Sequence, residues 1–514
     1  MSEKNQLRSG AILSYINLAL STIIPFIYTP MMLRILGDAE YGLYSLSHSV
    51  IAYLSLLTFG FGGTIVRYIS MYRAKNDKDM LRRSFGFFLC LYCIIAVIIM
   101  IIGVVISNNV ELVFNKNLTP DEIIKMQKLT LIMSFNSAIS LPISVFSSVV
   151  ISFEKYVFRK VIDMLSTVLA PAMNIVMLLL GFASVGLAVT STIIQSFMLP
   201  IYIIYCIRVI GIKPSFKPIE KKLISEMFGF SAFIFIGSLV DVLFWSTDKV
   251  IIGMTINSVA VAVYNIGATF NSMITSLSTS LSGIMTPRIT SMVIKDATKE
   301  QLTEVFIKVG RLQYIIVSLA VSGFIAFGRE FITLWAGEGY KESYLIAVLT
   351  LIPLCVPLIQ NIGISIITAQ NKHRFRSVVY LIIAIVNVIS TYLIIPYMGI
   401  IGAALCSSIS YIIGQGIIMN IYYYKAVGID ILSFWKNILK MSIIPIILAI
   451  VTVLIKNVLD FNNWIALILG IGVYSILFAI GSYFVSLNQY EKDLIKSMTC
   501  KITDILKKRV KKTV

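Results

Sequence analysis

Asp241, Asp248 and Lys249 are ionisable residues inside one apolar stretch, GSLVDVLFWSTDKVIIG at 237–253, with Trp245 between the two acids. Charged groups in such a stretch are costly, and they usually line a cavity or pair with one another. Seven residues make nearly two helical turns, so a helix here would put Asp241 and Asp248 on one face. That face could bind a substrate or a coupling cation. For Asp248 and Lys249 two further readings stand: solvation near the end of the stretch, or a structural pair between Asp248 and Arg34. His48 is a lone histidine in another apolar stretch and reads as a structural hydrogen-bonder. Cys90 and Cys93 form a C-x-x-C within FFLCLYCIIAV. Six cysteines, mostly inside apolar runs, make no disulfide framework, and these two read as small hydrophobes. No G-x-x-x-x-G-K-[ST] loop occurs, so the chain carries no phosphate cradle for ATP. No metal set stands out, and no cofactor is expected.

The elements that must position these residues follow from composition. The 514 residues are 58% hydrophobic and 13% charged, with a mean hydropathy of +0.89. Soluble domains carry about 25% charged residues. This balance excludes a cytosolic enzyme, a secreted disulfide scaffold and a disordered chain, and leaves an all-α polytopic membrane protein. Apolar runs of about 20 residues suit a crossing. They fall at 10–35, 41–65, 84–107, 129–153, 161–181, 185–207, 229–253, 261–286, 312–335, 343–368, 377–396, 400–424, 440–459 and 464–487. Fourteen crossings put both termini on one side. Lys and Arg favour that side by about five to one, which assigns it to the cytoplasm. The net charge of +18 is therefore mainly topology and not a nucleic-acid surface. It would draw anionic lipid headgroups to the inner face. The outer connections are short, the longest near 108–128, and no cleavable signal peptide is expected. From Tyr490 the tail spaces Leu494, Met498, Ile502 and Ile505 helically among lysines. It reads as a basic amphipathic helix, on the membrane surface or in solvent. Pro25, Pro30, Pro142, Pro171, Pro353 and Pro357 are candidate kinks.

The chain repeats itself. Lys155, Phe158 and Arg159 fall on Lys372, Phe375 and Arg376 at an offset of 217, and GLAVTS (186–191) falls on GAALCS (402–407) after one gap. Nearer the start, Tyr44, Gly63, Ile69 and Ser70 fall on Tyr264, Gly283, Ile289 and Thr290 at an offset of 220. These matches predict two six-helix lobes in parallel orientation, 1–210 and 229–425, joined by a basic cytoplasmic linker at 211–228. Two extra helices follow in 426–487, then the tail, 488–514. A site between such lobes is a transporter architecture. At offset 220 Asp241 falls on Ser21 and Asp248 on Tyr28, so the buried acids belong to one lobe only.

The stretches LRILGDAEYGLYSL (33–46), FGFGGTIVRYIS (59–70) and STDKVIIGMTINSVAVAVYNIG (246–267) resemble the polysaccharide-export branch of the multidrug/oligosaccharidyl-lipid/polysaccharide (MOP) transporter superfamily. That branch includes the O-antigen, or repeat-unit, flippases. The resemblance implies a MATE-like fold with six, six and two helices, the last two helping to form a groove for a lipid tail. It implies a non-enzymatic flippase in the bacterial cytoplasmic membrane, moving a polyprenyl-diphosphate-linked oligosaccharide from the inner to the outer leaflet. A cation gradient or the membrane potential would drive it. Its partners would be that substrate, membrane lipids and other polysaccharide-assembly proteins, and no nucleic acid. A sugar head cannot cross hydrocarbon alone, since each lost hydrogen bond costs several kcal/mol.

Under this resemblance Asp241, Trp245, Asp248 and Lys249 are candidates for sugar or cation binding. Arg67 and Arg288, at the inner ends of spans 2 and 8, are candidates to meet the diphosphate through a bidentate fork, with positive-inside anchoring as the other reading. Arg34, which ends span 1 on the outer side, is a further candidate for substrate binding or coupling. Spans 1 and 2 lack the mid-depth cations expected of relatives that move the peptidoglycan precursor. Span 8 carries Asn271, Ser272, Thr275, Ser276, Ser278, Thr279, Ser280 and Ser282 all round its surface, suited to lining a cavity and to close packing. A cation-coupled drug exporter of the same fold, and a membrane polymerase or ligase, are the alternatives. The short outer connections disfavour the enzyme.

Overall fold

The structure is a computed structural model that describes residues 3–370, 372–493, 496 and 497. The described residues form helices and turns, with no strand. The helices are α1 Glu3–Leu36, α2 Asp38–Leu54, α3 Phe61–Ala74, α4 Lys78–Asn108, α5 Val110–Phe114, α6 Pro120–Ser152, α7 Tyr156–Leu179, α8 Ala183–Ile204, α9 Lys221–Trp245 and α10 Thr247–Thr255. They continue with α11 Ser258–Ile294, α12 Lys299–Trp335, α13 Lys341–Ile359, α14 Asn361–Ala369, α15 His373–Tyr411, α16 Met419–Tyr422, α17 Ile431–Ile455 and α18 Trp464–Gly481. Their starts are written locally. Thr119 and Thr298 build capping boxes with Glu122 and Gln301 before α6 and α12. Asp77, Asp430 and Asn463 accept from the third helical N–H of α4, α17 and α18. The Ser433 hydroxyl and amide hold the Asp430 carboxyl below its usual range.

Packing divides the chain into two compact units, Met1–Ile266 with Tyr380–Cys406, and Gly267–Val379 with Ser407–Val514. In the first, Phe61, Phe85 and Phe88 are fully buried, and Phe61 meets Phe228 edge-on at 4.8 Å. A Cβ on Gly42 would sit 1.8 Å from the Ser258 carbonyl oxygen, so only glycine lets these backbones touch. Thr64 and Ser231 join α3 to α9 through their hydroxyls at 2.6 Å. In the second unit Phe306 and Phe434 pack at 4.9 Å, and Phe327 and Tyr474 at 5.8 Å join α12 to α18. Arg311 on α12 holds Glu491 through two bonds of 2.7 Å, with both side chains buried. That pair fixes the chain just after α18. The expected tail helix beyond residue 497 lies outside the described residues.

Among the described residues twelve helical segments are long and apolar enough to cross a membrane, against fourteen expected. Two physical features account for the difference. One segment, Arg374–Val427, has 54 residues. As a single helix it would be about 80 Å long, far beyond a bilayer, and its backbone turns at Gly399 (φ 57°, ψ −146°), between the expected spans 377–396 and 400–424. The other is α11, whose hydroxyl and amide side chains dilute its apolarity. Apolar side chains such as Ile94, Val97, Ile101 and Val105 on α4 and Ile446, Ile450 and Leu454 on α17 are exposed, as lipid-facing residues would be. Helices α1, α6 and α7 run on through Pro25, Pro30, Pro142 and Pro171. Interruptions fall instead at Ser55–Thr58, at Ser246, at Gln360 and at Gly399, and of these Gln360 and Gly399 follow prolines closely.

Candidate functional site

The segment that carries the acids is interrupted. α9 ends at Trp245, Ser246 takes φ −115° and ψ −31°, and α10 starts at Thr247. The two acids expected on one helix face therefore lie on separate helices, Asp241 on α9 and Asp248 on α10, in different surroundings. Asp241 is exposed, whereas Asp248 is 2% exposed. Neither alternative reading of Asp248 holds. It is not solvated, and Arg34 is exposed with no ion pair among the described residues.

Two hydroxyls donate to Asp248. The Tyr264 hydroxyl donates to its Oδ2 at 2.5 Å, and the Thr391 hydroxyl to its Oδ1 at 3.4 Å. Lys249 Nζ donates to Asn265 Oδ1 at 3.2 Å, and Asn265 Nδ2 donates to the Tyr41 hydroxyl at 2.7 Å. The Tyr53 and Thr247 hydroxyls share a bond of 2.5 Å. His48 lies within electrostatic range of Lys249. Residues of α2, α10, α11 and α15 thus converge inside the first unit. Asp248 and Lys249 are adjacent in the chain but bond to different partners, Tyr264 and Thr391 for the acid and Asn265 for the base. Discontinuous helices are where irregular backbone is tolerated at membrane depth, provided that it is enclosed by protein or lines water.

The remaining candidates lie apart from this cluster. Arg67 is exposed on α3, and its guanidinium stacks over the Phe230 ring at 4.2 Å. Arg288 is exposed on α11 and belongs to the second unit. The α11 hydroxyls are sorted by face. Asn271 bonds Thr350 at 2.8 Å and Ser278 donates to the Leu358 carbonyl at 2.8 Å, both buried. Ser282 is buried against Gln313. Ser272, Ser276 and Thr279 form an exposed stripe, each bonded to a carbonyl of its own helix. Packing and an exposed hydroxyl stripe therefore occupy different faces of one helix.

With this architecture in view, the family assignment is direct. The model of the polysaccharide biosynthesis protein family matches residues 7–293, more than half of the chain. The chain belongs to this family. No curated protein sequence matches it. Among solved structures, the lipid II flippase MurJ in an inward closed conformation is similar with a TM-score of 0.68 and 15% identity, over 92% of this chain and 98% of that one. An inward-facing multidrug resistance MATE-family transporter of the MOP superfamily gives 0.59 and 15%, over 78% and 92%. A MOP-superfamily transporter from Pyrococcus furiosus gives 0.57 and 14%, over 81% and 94%. At these identities the likeness carries the fold alone. The family member described here is thus an all-α, multi-pass membrane protein with a MurJ- and MATE-like fold, and its structural neighbours are flippases and transporters.

Tyr41, Asn265 and Thr391 were not candidates from the sequence. They are uncharged residues on helices far apart in the chain, and a tyrosine or threonine in an apolar run carries no signal by itself. Tyr264 did have one, since it falls on Tyr44 in the repeat.

Proposed function

We propose that this family member flips a polyprenyl-diphosphate-linked oligosaccharide from the inner to the outer leaflet of the bacterial cytoplasmic membrane, by alternating access and with no chemical step. The observation that supports this reading most is an apolar slot of about 380 Å³ in the second unit. Its walls are Val321 and Ile325 of α12, Ile352 of α13, and Pro445, Ala449 and Ile450 of α17. The Tyr314–Ser442 hydroxyl bond of 2.5 Å ties α12 to α17 beside it. α17 lies beyond the repeated part of the chain, so the slot is a feature that twelve-helix drug exporters would lack. An isoprenoid tail suits such a slot, because burying each CH₂ contributes about 0.8 kcal/mol.

The exposed polar groups support the other half of the reading. Asp241, Arg67, Arg288 and the Ser272–Ser276–Thr279 stripe would be penalised in hydrocarbon and belong against water. In this proposal Arg67 and Arg288 meet the diphosphate on the cytoplasmic side, where both termini also lie. Asp241, Trp245, Asp248 and Lys249 serve sugar or cation binding in the first unit. The substrate and other polysaccharide-assembly proteins are its partners, and a cation gradient or the membrane potential drives it.

Deletion of the gene in its host, followed by analysis of lipid-linked sugars, tests the reading. Accumulated lipid-linked repeat units and loss of surface polysaccharide are expected. Asp241→Asn, Arg288→Ala and the slot-filling Ala449→Phe should each fail to rescue at normal protein levels. Unchanged surface polysaccharide with drug hypersensitivity would replace the flippase by an exporter.

A further inference from the structure

A second cavity, of about 480 Å³, lies in the first unit and shares no residue with the Asp248 cluster. It is an open concavity where three stretches meet: the end of α3 and start of α4 (72–82), Phe153 after α6, and the connection 210–213. Four cations line it, Arg73, Lys78, Arg82 and Lys213. They come from two segments 131 residues apart in the chain, so the charge is assembled by the fold and not by a local run. Only Arg73 has a carboxylate partner, Glu154 at 3.2 Å; among the described residues Lys78, Arg82 and Lys213 form no ion pair.

The walls are built in place. Arg73 donates to the Ser152 carbonyl at 2.7 Å and covers the Phe153 ring at 5.1 Å. Arg82 Nε donates to the Lys213 carbonyl at 3.2 Å, and the Ser215 amide to the Arg82 carbonyl at 2.9 Å. A Cβ on Gly86 would meet the Ser215 carbonyl oxygen at 2.2 Å, so glycine is what lets the connection lie against α4. Gly211, at φ +78°, makes the turn that brings Lys213 round. With Nε committed, the terminal nitrogens of the Arg82 guanidinium still present donors in a planar fork. The floor is apolar, from Tyr72, Leu81, Phe153 and Ile212.

We propose that this cavity binds a phosphate-bearing anion, a phosphodiester or diphosphate whose charge meets Lys78, Arg82 and Lys213 while its organic part rests on Phe153 and Ile212. Three uncompensated cations in one concavity match two phosphoryl charges, and the volume is that of a small-molecule site and exceeds what one inorganic phosphate fills. The charge bias of the sequence puts these segments on the cytoplasmic face, where both an anionic lipid headgroup and a soluble diphosphate are within reach.

The test uses the full-length purified protein in uncharged detergent, with thermal unfolding read against three probes. These are dihexanoyl-phosphatidylglycerol, dihexanoyl-phosphatidylcholine and inorganic diphosphate. We expect saturable stabilisation by phosphatidylglycerol, diphosphate or both, weakened by salt, and none by phosphatidylcholine. Stabilisation by phosphatidylglycerol alone assigns a lipid headgroup, and stabilisation by diphosphate as well assigns a phosphoryl site open to soluble anions. Lys78→Gln with Arg82→Gln should weaken the apparent affinity by about tenfold or more. Lys221→Gln with Lys222→Gln, cations outside the cavity, should leave it unchanged. If the double cavity variant does not fold, the exposed Lys78→Gln alone should weaken binding about threefold. No saturable stabilisation, or equal losses in the two double variants, would overturn the proposal.

Discussion

Phe158 and Phe375 occupy equivalent places in the two halves of the repeat, and each stacks on a tyrosine 47 residues further on. Phe158 lies 3.6 Å from Tyr205, and Phe375 lies 4.2 Å from Tyr422, centroid to centroid. Both pairs sit beside a π-helical turn, closed by Gly211 at φ +78° in one half and Gly428 at φ +82° in the other. The shared offset is 217 throughout. The halves differ where their helices are interrupted. α2 and α3 part at Ser55–Gly60, whereas their counterpart α11 is continuous. α1 is continuous, whereas its counterpart divides at Ser246 into α9 and α10. The ends of the helices, where stacks and turns fix the chain, keep the repeat. The interruptions, where backbone groups and charges can be presented, have diverged. The lesson is that an inherited scaffold holds its symmetry in packing and loses it in chemistry.

The largest expected break of this comparison is at Arg311. Its buried bidentate pair with Glu491 has no analogue in the first half, where α4 carries no charged residue after Arg83. Arg311→Ala strands a buried carboxylate and should cost about 3–5 kcal/mol, read as lost folded protein in detergent unfolding. A change below about 1 kcal/mol would show that the pair is wet in the membrane protein.

Tyr264 and Tyr44 are the next test, as equivalent residues with unequal partners. Tyr264→Phe leaves Asp248 one donor short and should cost about 1–3 kcal/mol, with loss of transport. Tyr44→Phe leaves no carboxylate short of a donor and should cost about 1 kcal/mol or less. Equal costs would erase the asymmetry of the site. Phe158→Leu and Phe375→Leu sharpen the symmetric side, and each should cost about 1 kcal/mol. A difference of more than about twofold between them would mean that the two stacks are not equivalent. The smallest effect belongs to Arg83→Ala, which removes an i,i+4 pair with Asp79 and should cost about 0.5 kcal/mol or less.

The candidate site was partly legible. Asp248 and Lys249 stand out in the sequence because charge within an apolar run is expensive, and the structure finds Asp248 buried and bonded. Asp241 stood out for the same reason but parts from Asp248, because Ser246 ends a helix that no proline or glycine marks. Hydroxyls on α11 were visible as a composition, and only their contacts sort them into a packed face and an exposed one. The slot beside α17 and the basic cavity beside Phe153 were invisible, since their linings come from segments distant in the chain.

What the sequence determined by itself was the solvent of this protein and the period of its scaffold. Runs of apolar residues leave a helix in a bilayer as the structure that satisfies every backbone group, and a repeated pattern at an offset of 217 to 220 writes the same packing twice. The tertiary structure decided which polar groups meet. Asp248 finds Tyr264 and Thr391, and Arg82 finds the Lys213 carbonyl, because helix packing brings together residues that no local rule links. Such contacts depend on crossing geometry and on where helices stop, and both are set by side chains from several segments at once.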